Sequence, residues 1–307
     1  MRTHLHTALL FAGFLATQLC PLSAQSRPWY DLDTKNLRVD ARLDLPLMLG
    51  PGLVAGMTLI SPLSADYTHD WAEAFGEEGV RENFSLDAKR NSDILGGLSV
   101  TLPLAILTAD DIDGRAREGA AHMLLYGQAL SVSLALNQLT KQTVRRRRPY
   151  TYNPAAKAHM ADQGDDAYYS FYSGHSSHTF AGAVAGSYLF SLSSDVHGLR
   201  AAVWGSELAL AAATATLRVR AGKHYWSDII TGAAVGSAIG FGLPHLHRRD
   251  GTSIDMQWYE WAAIPTGVAA GVVLGYLLDG EQLSEAPVAL MPHSVPGGAG
   301  VLATGSF

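Results

Sequence analysis

The stretch from Lys141 to Asp228 contains three short polar segments: Lys141-Gln-Thr-Val-Arg-Arg-Arg-Arg148-Pro149, Ser170-Phe-Tyr-Ser173-Gly174-His175 and Arg218-Val-Arg-Ala-Gly222-Lys-His224-Tyr-Trp-Ser-Asp228. Pro149 ends the helix that carries the first segment, and Ser176 opens a helix directly after the second. The third segment begins at the end of one helix and finishes at the start of the next. All three are therefore expected at helix ends on one side of a bundle, where backbone N–H groups and helix dipoles favour an anion.

Six apolar stretches of helical length predict an all-α bundle of about six core helices: 94–109, 119–139, 177–194, 200–217, 229–246 and 261–279. Several are slightly shorter than the roughly 20 residues that cross a bilayer core. They are also rich in Ala and Gly, the small residues found where membrane helices pack closely. The pattern favours a transmembrane bundle. A soluble bundle stays open, because the mean hydropathy of the chain is only +0.08.

Composition limits the possible functions of the chain. With 307 residues, of which 48% are apolar and 16% charged, one large helical domain is the simplest interpretation. The net charge of −6 argues against nucleic acid as a partner, because a protein that binds the phosphate backbone needs a surplus of Lys and Arg over one face.

The N-terminal residues 1–24 resemble a cleaved export signal: Arg2, an apolar run from Ala8 to Leu19, and small residues before Gln25. An uncleaved anchor helix is the alternative. Cleavage would remove Cys20, the only cysteine, so disulfide and thiol chemistry would be absent from the mature chain.

Three further regions follow: an extracytoplasmic or interfacial segment over 25–93, a core over 94–246, and a C-terminal helix and tail over 247–307. Within the first region, residues 45–63 contain Pro46, Pro51, Pro62 and several glycines, which favours an interfacial or re-entrant segment over a straight span. Trp71, Phe75 and Phe84 are spaced as on an amphipathic helix.

Charge distribution predicts a membrane topology. The face opposite the polar segments receives the short basic loops, which should lie in the cytoplasm: Arg115 to Arg117, Ser194 to Arg200, and His245 to Arg249. The face with the polar segments receives the acidic stretch from Asp66 to Asp93 and the tail after Asp279. This arrangement fits a cleaved signal, with both ends of the mature chain outside.

The residue types of the polar segments suit a phosphoryl group, whose oxygens need several fixed cations or N–H donors. Lys141, Arg148 and Arg218 supply the charge, while Ser173 and the amide of Gly174 supply neutral donors. Two histidines, His175 and His224, are enough for one nucleophile and one general acid. Asp228 follows His224 by one helical turn and is close enough to hold one nitrogen of its ring.

These segments resemble the three signature motifs of the type 2 phosphatidic acid phosphatase superfamily, which includes class A acid phosphatases and vanadium haloperoxidases. The first motif matches at Lys141, Arg148 and Pro149, the second at Ser173-Gly174-His175, and the third at Arg218, His224 and Asp228. Tyr172 replaces the usual Pro and Leu217 the usual Ser, and both departures are expected to alter the pocket shape rather than abolish activity.

The resemblance implies that His224 attacks phosphorus, that Asp228 orients and activates it, and that His175 protonates the leaving group and later activates water. It implies no metal and no cofactor, with vanadate expected to occupy the phosphate site. The expected substrate is a phosphomonoester or diphosphate of a membrane lipid, such as undecaprenyl diphosphate, phosphatidic acid, phosphatidylglycerol phosphate or lipid A.

The corresponding location is a bacterial inner membrane, with the active site facing the periplasm. Two alternatives remain from the sequence: a soluble periplasmic acid phosphatase of broad specificity and a vanadate-dependent haloperoxidase. Three residues of the arginine run, Arg145 to Arg147, are expected on a solvated or lipid-headgroup face, so that substitution of Arg146 should have little effect. Substrate contact is open for Arg220 and Lys223.

Overall fold

The structure is a computed structural model and describes residues 28–60, 71–110, 116–156, 164–279, 289–295 and 298–304. The described residues form seven α-helices: α1 Ala41–Ile60, α2 Leu86–Asp110, α3 Ala116–Val144, α4 Gly174–Ser193, α5 His197–Arg220, α6 Trp226–Leu246 and α7 Trp258–Leu278. Two short strands, β1 Ala289–Val295 and β2 Gly298–Thr304, pair antiparallel after the helices. The expected helical bundle is confirmed, while the predicted signal peptide and Cys20 lie outside the described residues.

All six apolar stretches of the sequence are helices, and they correspond to α2 through α7. The described part of 45–63 is not re-entrant, because α1 is one continuous helix through Pro46 and Pro51. Its placement at an interface stays a prediction. This helix packs along α3, where a Cβ atom on Gly52 would lie 3.1 Å from Oγ of Ser131. Packing against α3 thus stabilises a helix whose local composition disfavours one.

Close backbone approach joins the outer helices to the centre of the bundle. Helix α6 packs on α4 and α7 packs on α5, each through glycines at four-residue spacing: Gly232, Gly236 and Gly240 on α6, and Gly267, Gly271 and Gly275 on α7. A Cβ atom on Gly236 would clash with the backbone oxygen of Ser177, so no larger residue fits without separating the helices. Small residues at such spacing are the packing mode of membrane helices.

Within the part of the chain that the structure describes, four segments are long and apolar enough to cross a membrane: Leu86–Thr108, Ala116–Tyr152, Trp226–Leu246 and Trp258–Leu278. Large apolar side chains are exposed on the outer helices, among them Leu53 and Met57 on α1, Ile94 and Leu98 on α2, Ile230 and Phe241 on α6, and Trp258 and Trp261 on α7. Exposed apolar surface of this extent marks a contact with lipid or with another protein. The fold is therefore compatible with a membrane protein.

The polar segments lie at one end of the bundle, as predicted, and the short basic loops lie at the other. Residues 28–40 also lie at the basic end: Leu37 forms a β-bridge with Arg248, and Asn36 donates to the carbonyl of Leu192. The expectation that both ends of the mature chain share the face of the polar segments is therefore wrong for this N-terminal part. Helix α1 carries the chain from one end of the bundle to the other.

The stretch before α2 is not the amphipathic helix that the spacing of its aromatic residues predicts. It forms two short 3₁₀ segments, Glu73–Phe75 and Glu78–Glu82, separated by Gly76 in the left-handed conformation. This bend buries Glu77 at the end of the bundle that holds the polar segments. Three more 3₁₀ segments lie in the long connection between α3 and α4: Pro149–Tyr152, Pro154–Ala156 and Gly164–Tyr168.

Candidate active site

His224 lies in the turn between α5 and α6, with 1% of its surface exposed. Its Nδ1 atom is 2.8 Å from the backbone oxygen of Ser170, which can only accept a hydrogen bond. We therefore assign the ring proton to Nδ1. Nε2 is then a lone-pair atom, 3.1 Å from a guanidinium nitrogen of Arg148. Burial, with repulsion from Arg148 and Arg218, holds the pKa of His224 well below its usual value, so the ring is neutral at neutral pH.

Asp228 is fully buried one helical turn after His224, but the two side chains share no direct hydrogen bond. Oδ2 of Asp228 is 3.7 Å from Nδ1 of His224. Ser170 lies between the two residues: its hydroxyl donates to Oδ2 of Asp228 at 2.5 Å, while its carbonyl accepts from His224. The ring is thus oriented through Ser170, which links it to Asp228.

Arg146 is the partner of the other oxygen of Asp228. One guanidinium nitrogen is 2.6 Å from Oδ1 of Asp228 and 2.7 Å from Oγ of Ser227, and the second is 3.1 Å from Glu77. The side chain is 0% exposed and lies over the ring of Tyr225. The prediction that Arg146 belongs to a solvated or headgroup face is therefore wrong. Arg145 and Arg147 are half-buried, each against a tyrosine ring.

Arg148 is fixed in the site by four contacts. Two of its nitrogens bond to Asp166, at 2.8 Å to the backbone oxygen and 2.7 Å to the carboxylate, and a third bonds to the carbonyl of Lys223 and to His224. Burial alone would raise the pKa of Asp166, but the nearby Arg148 and Lys141 outweigh it and lower the pKa to about 2. Asp166 is therefore charged, and the guanidinium is held against Nε2 of His224.

His175 and Arg218 meet at a carboxylate of α2. Oδ1 of Asp93 lies 3.1 Å from Nε2 of His175 and 3.0 Å from a nitrogen of Arg218, which also donates to Ser92. Burial and Arg218 lower the pKa of His175 to about 4, against the opposing effect of Asp93. A phosphate dianion beside the ring would favour its protonated form again.

Ser173 and Gly174 begin helix α4 and direct its N-terminus towards the basic residues. Oγ of Ser173 accepts from the amide of Ser176 as the N-cap, and its own amide donates to the carbonyl of Asp228. A Cβ atom at position 174 would lie 2.8 Å from Oδ1 of Asn137 and 3.5 Å from Nζ of Lys141. Glycine therefore allows the start of the helix to approach Lys141 closely.

Residues 122–251 match the family model described as the PAP2 superfamily. The matched segment is less than half of the chain. It contains all three motifs on which the resemblance rests, so the resemblance is confirmed, and the match supports a phosphatase activity of this family. Comparison with curated proteins and with solved structures finds no match.

The two departures from the PAP2 motifs are both buried. Tyr172 is 3% exposed and its carbonyl accepts from Asn137, while Leu217 is fully buried beside Ala88 and Ala221. Of the two basic residues left open by the sequence, Arg220 pairs with Asp279 at 2.9 Å. Lys223 stays near the site, with its carbonyl bonded to Arg148 and its ammonium group over the ring of Tyr150.

The motifs give no role to four residues that contact the predicted site: Glu77, Asp93, Asp166 and Ser170. Of these, Ser170 lies within the second polar segment. Glu77 and Asp93 precede the PAP2 segment and lie outside the motifs, so no spacing rule points to them. Asp166 and Ser170 lie just before the second motif, where the clustered acidic residues gave the only signal. Among the described residues, no group of three or more His, Cys, Asp or Glu side chains is arranged to hold a metal ion.

Proposed function

We propose that this protein is a phosphatase that hydrolyses a phosphomonoester or diphosphate through a phosphohistidine at Nε2 of His224. The observation that carries the proposal is the orientation of His224. Its Nδ1 proton is directed at the Ser170 carbonyl, and its Nε2 lone pair lies beside Arg148. A neutral, fixed imidazole next to an anion-binding cation is the arrangement that in-line attack on phosphorus requires.

In the proposed first step, Nε2 of His224 bonds to phosphorus while the bond to the leaving oxygen breaks and His175 protonates that oxygen. In the second step, His175 takes a proton from water, the water oxygen attacks phosphorus, and the bond to His224 breaks to release inorganic phosphate. Lys141, Arg148 and Arg218 offset the charge on the equatorial oxygens, together with the N-terminus of α4.

No metal or cofactor is part of this proposal, since the three cationic side chains supply the charge that Mg²⁺ supplies in kinases. Vanadate, which adopts the five-coordinate geometry of the transition state, is expected to bind in the same place and to inhibit. We therefore expect phosphate release to continue in the presence of EDTA.

A membrane lipid phosphate is the proposed substrate class. Support comes from the exposed apolar faces of the outer helices and from the four helices that are long enough to cross a bilayer. A site at the end of such a bundle lies at the level of lipid headgroups. The proposed location is a bacterial inner membrane with the site facing the periplasm, and the headgroup candidates are those named from the resemblance.

The test is phosphate release, with EDTA present, from isoprenyl diphosphate, phosphatidic acid, phosphatidylglycerol phosphate, lipid A and p-nitrophenyl phosphate, comparing wild type with His224→Ala. Loss of the nucleophile should reduce turnover by roughly 10⁴-fold or more. A His224-dependent preference for one lipid supports the proposal and identifies the headgroup.

Three results would contradict parts of the proposed function. Equal activity on p-nitrophenyl phosphate, with extraction that needs no detergent, would favour a soluble acid phosphatase. Bromide oxidation that depends on added vanadate, without phosphate release, would favour a haloperoxidase. Unchanged turnover in His224→Ala would exclude His224 as the nucleophile.

A further inference from the structure

Glu77 reaches the nucleophile side of the site from a part of the chain that precedes the PAP2 segment. Its Oε1 accepts from the amide of Ser227 at 2.6 Å, and its Oε2 accepts from Oγ of Ser227 at 2.7 Å and from Arg146 at 3.1 Å. The carboxylate is 7% exposed. A buried carboxylate with three donors is a fixed part of the site, not a residue of the protein surface.

Arg146 connects Glu77 to Asp228. Its guanidinium lies between the rings of Trp71 and Tyr225, at 4.8 and 3.9 Å from their centroids, and forms ion pairs with both carboxylates. If Arg146 faced Asp228 alone, its positive charge would cancel the negative charge beside His224. With Glu77 present, one cation lies between two anions, and the cluster keeps a net negative charge at Asp228.

We infer that Glu77 is a positioning residue for the nucleophile: by neutralising Arg146 and fixing Ser227, it keeps the charge of Asp228 available to His224. The inference rests on the proposed phosphohistidine mechanism. When Nε2 bonds to phosphorus, the ring retains its Nδ1 proton and becomes cationic. Asp228, at 3.7 Å from Nδ1, then stabilises a charge that the resting enzyme does not carry.

The His224 ring is neutral in the resting enzyme and cationic once Nε2 forms a bond, so two inhibitors that differ in forming such a bond can test the inference. Inorganic phosphate binds to Lys141, Arg148 and Arg218 without a bond to nitrogen, whereas vanadate can form an N–V bond that resembles the attack on phosphorus. Removal of the Glu77 charge should therefore weaken inhibition by vanadate and leave inhibition by phosphate nearly unchanged. A residue with a purely structural role would affect both inhibitors together.

The experiment compares Glu77→Gln with wild type in the full chain, using p-nitrophenyl phosphate or the preferred lipid of the panel as substrate. We expect the vanadate inhibition constant to rise and the rate of enzyme phosphorylation to fall, each by roughly 10- to 100-fold. Loss of a supporting partner has an effect of this size at metal centres. Glu78→Gln, which changes an exposed neighbouring carboxylate, is the matched control and should behave as wild type.

A conservative variant keeps the test decisive if Glu77→Gln folds poorly. Glu77→Asp keeps a carboxylate beside Arg146 and Ser227, so vanadate inhibition should be weakened less than in Glu77→Gln. Equal losses for vanadate and phosphate, no loss for either, or the same loss of vanadate inhibition in Glu77→Asp as in Glu77→Gln would overturn the inference. Absence of His224-dependent phosphate release in the wild type would instead overturn the proposed function itself.

Discussion

Oδ1 of Asp93 lies 3.1 Å from Nε2 of His175, and the same oxygen lies 3.0 Å from a nitrogen of Arg218. One carboxylate oxygen thus contacts both the proposed general acid and a proposed phosphate ligand. An incoming phosphate has to share these two groups with Asp93 or displace it. Asp93 should therefore support proton transfer and, at the same time, oppose anion binding.

The substitution Asp93→Asn separates these two effects. We expect the inhibition constant of inorganic phosphate to fall several-fold, because Arg218 no longer pairs with an anion. We expect kcat for an alkyl phosphate to fall roughly 10²-fold, because the protonated form of His175 loses its stabilising carboxylate. The loss for p-nitrophenyl phosphate should be smaller, since its leaving group needs less protonation. Asp87→Asn, an exposed position on the same helix, is the control, and parallel losses for both substrates would contradict the prediction.

Lys223 gives the site a dependence on pH. Burial and repulsion from Arg148 lower the pKa of Lys223 to about 7, against the attraction of Asp166. The ammonium is therefore charged below pH 7, and its contribution to anion binding is lost as the pH rises through 7. We expect phosphate inhibition of the wild type to weaken more steeply between pH 6 and 8.5 than inhibition of Lys223→Arg, which stays charged. Superimposable profiles for the two proteins would show that Lys223 does not contribute.

A substitution at Gly236 tests the close contact between α4 and α6. The substitution Gly236→Ala places a Cβ atom against the backbone of Ser177 and should destabilise the fold by about 1–3 kcal/mol, the usual cost of overpacking. Gly242→Ala on the same helix meets no atom within 4 Å and should be neutral or slightly stabilising. Thermal unfolding in detergent measures both. A Gly236→Ala protein as stable as Gly242→Ala would mean that the helices pack less closely than the structure has them.

Two single cysteines test the proposed membrane topology. In a Cys20→Ser background, Glu78→Cys lies at the end of the site and Asp250→Cys at the opposite end, where the aspartate side chain is 94% exposed. In intact spheroplasts, a membrane-impermeant thiol reagent should label the first, and should label the second only after permeabilisation. Equal labelling without permeabilisation would favour a soluble periplasmic protein, and the reverse pattern would place the site in the cytoplasm.

Motif spacing was sufficient to predict which residues gather at the site, because each motif lies at the end of a helix and the helices run antiparallel. It was insufficient for Arg146, since the motif marks only Arg148 and four consecutive arginines carry no local sign that a second one is buried. The backbone conformation after α3 sets the orientation of Arg146. Arg145 follows the end of α3 with a φ of 48°, in the left-handed region, and the side chain of Arg146 is directed into the protein. Glu77 and Asp93 reach their partners across 69 and 125 residues, a distance over which a single sequence gives no pairing signal.

The continuity of helix α1 was not predicted, for a different reason. Its prolines and glycines indicate an interrupted segment by local propensity, and only the surface of α3 makes a continuous helix favourable there. The departures at Tyr172 and Leu217 were recognised from the motifs, but their effect on the pocket depends on neighbours such as Asn137 and Ala88, which the sequence does not place beside them.

The carboxylates of Glu77 and Asp93 come from outside the matched segment 122–251, yet each contacts a residue inside it. The segment that matches the family model is therefore smaller than the set of residues that builds the candidate site. A chimera that joins the matched segment to the N-terminal region of a PAP2 superfamily protein would keep every motif and still acquire foreign partners for Arg146 and Arg218. In such a chimera, the carboxylates that support the proposed nucleophile and the proposed general acid would come from a different protein than the motifs.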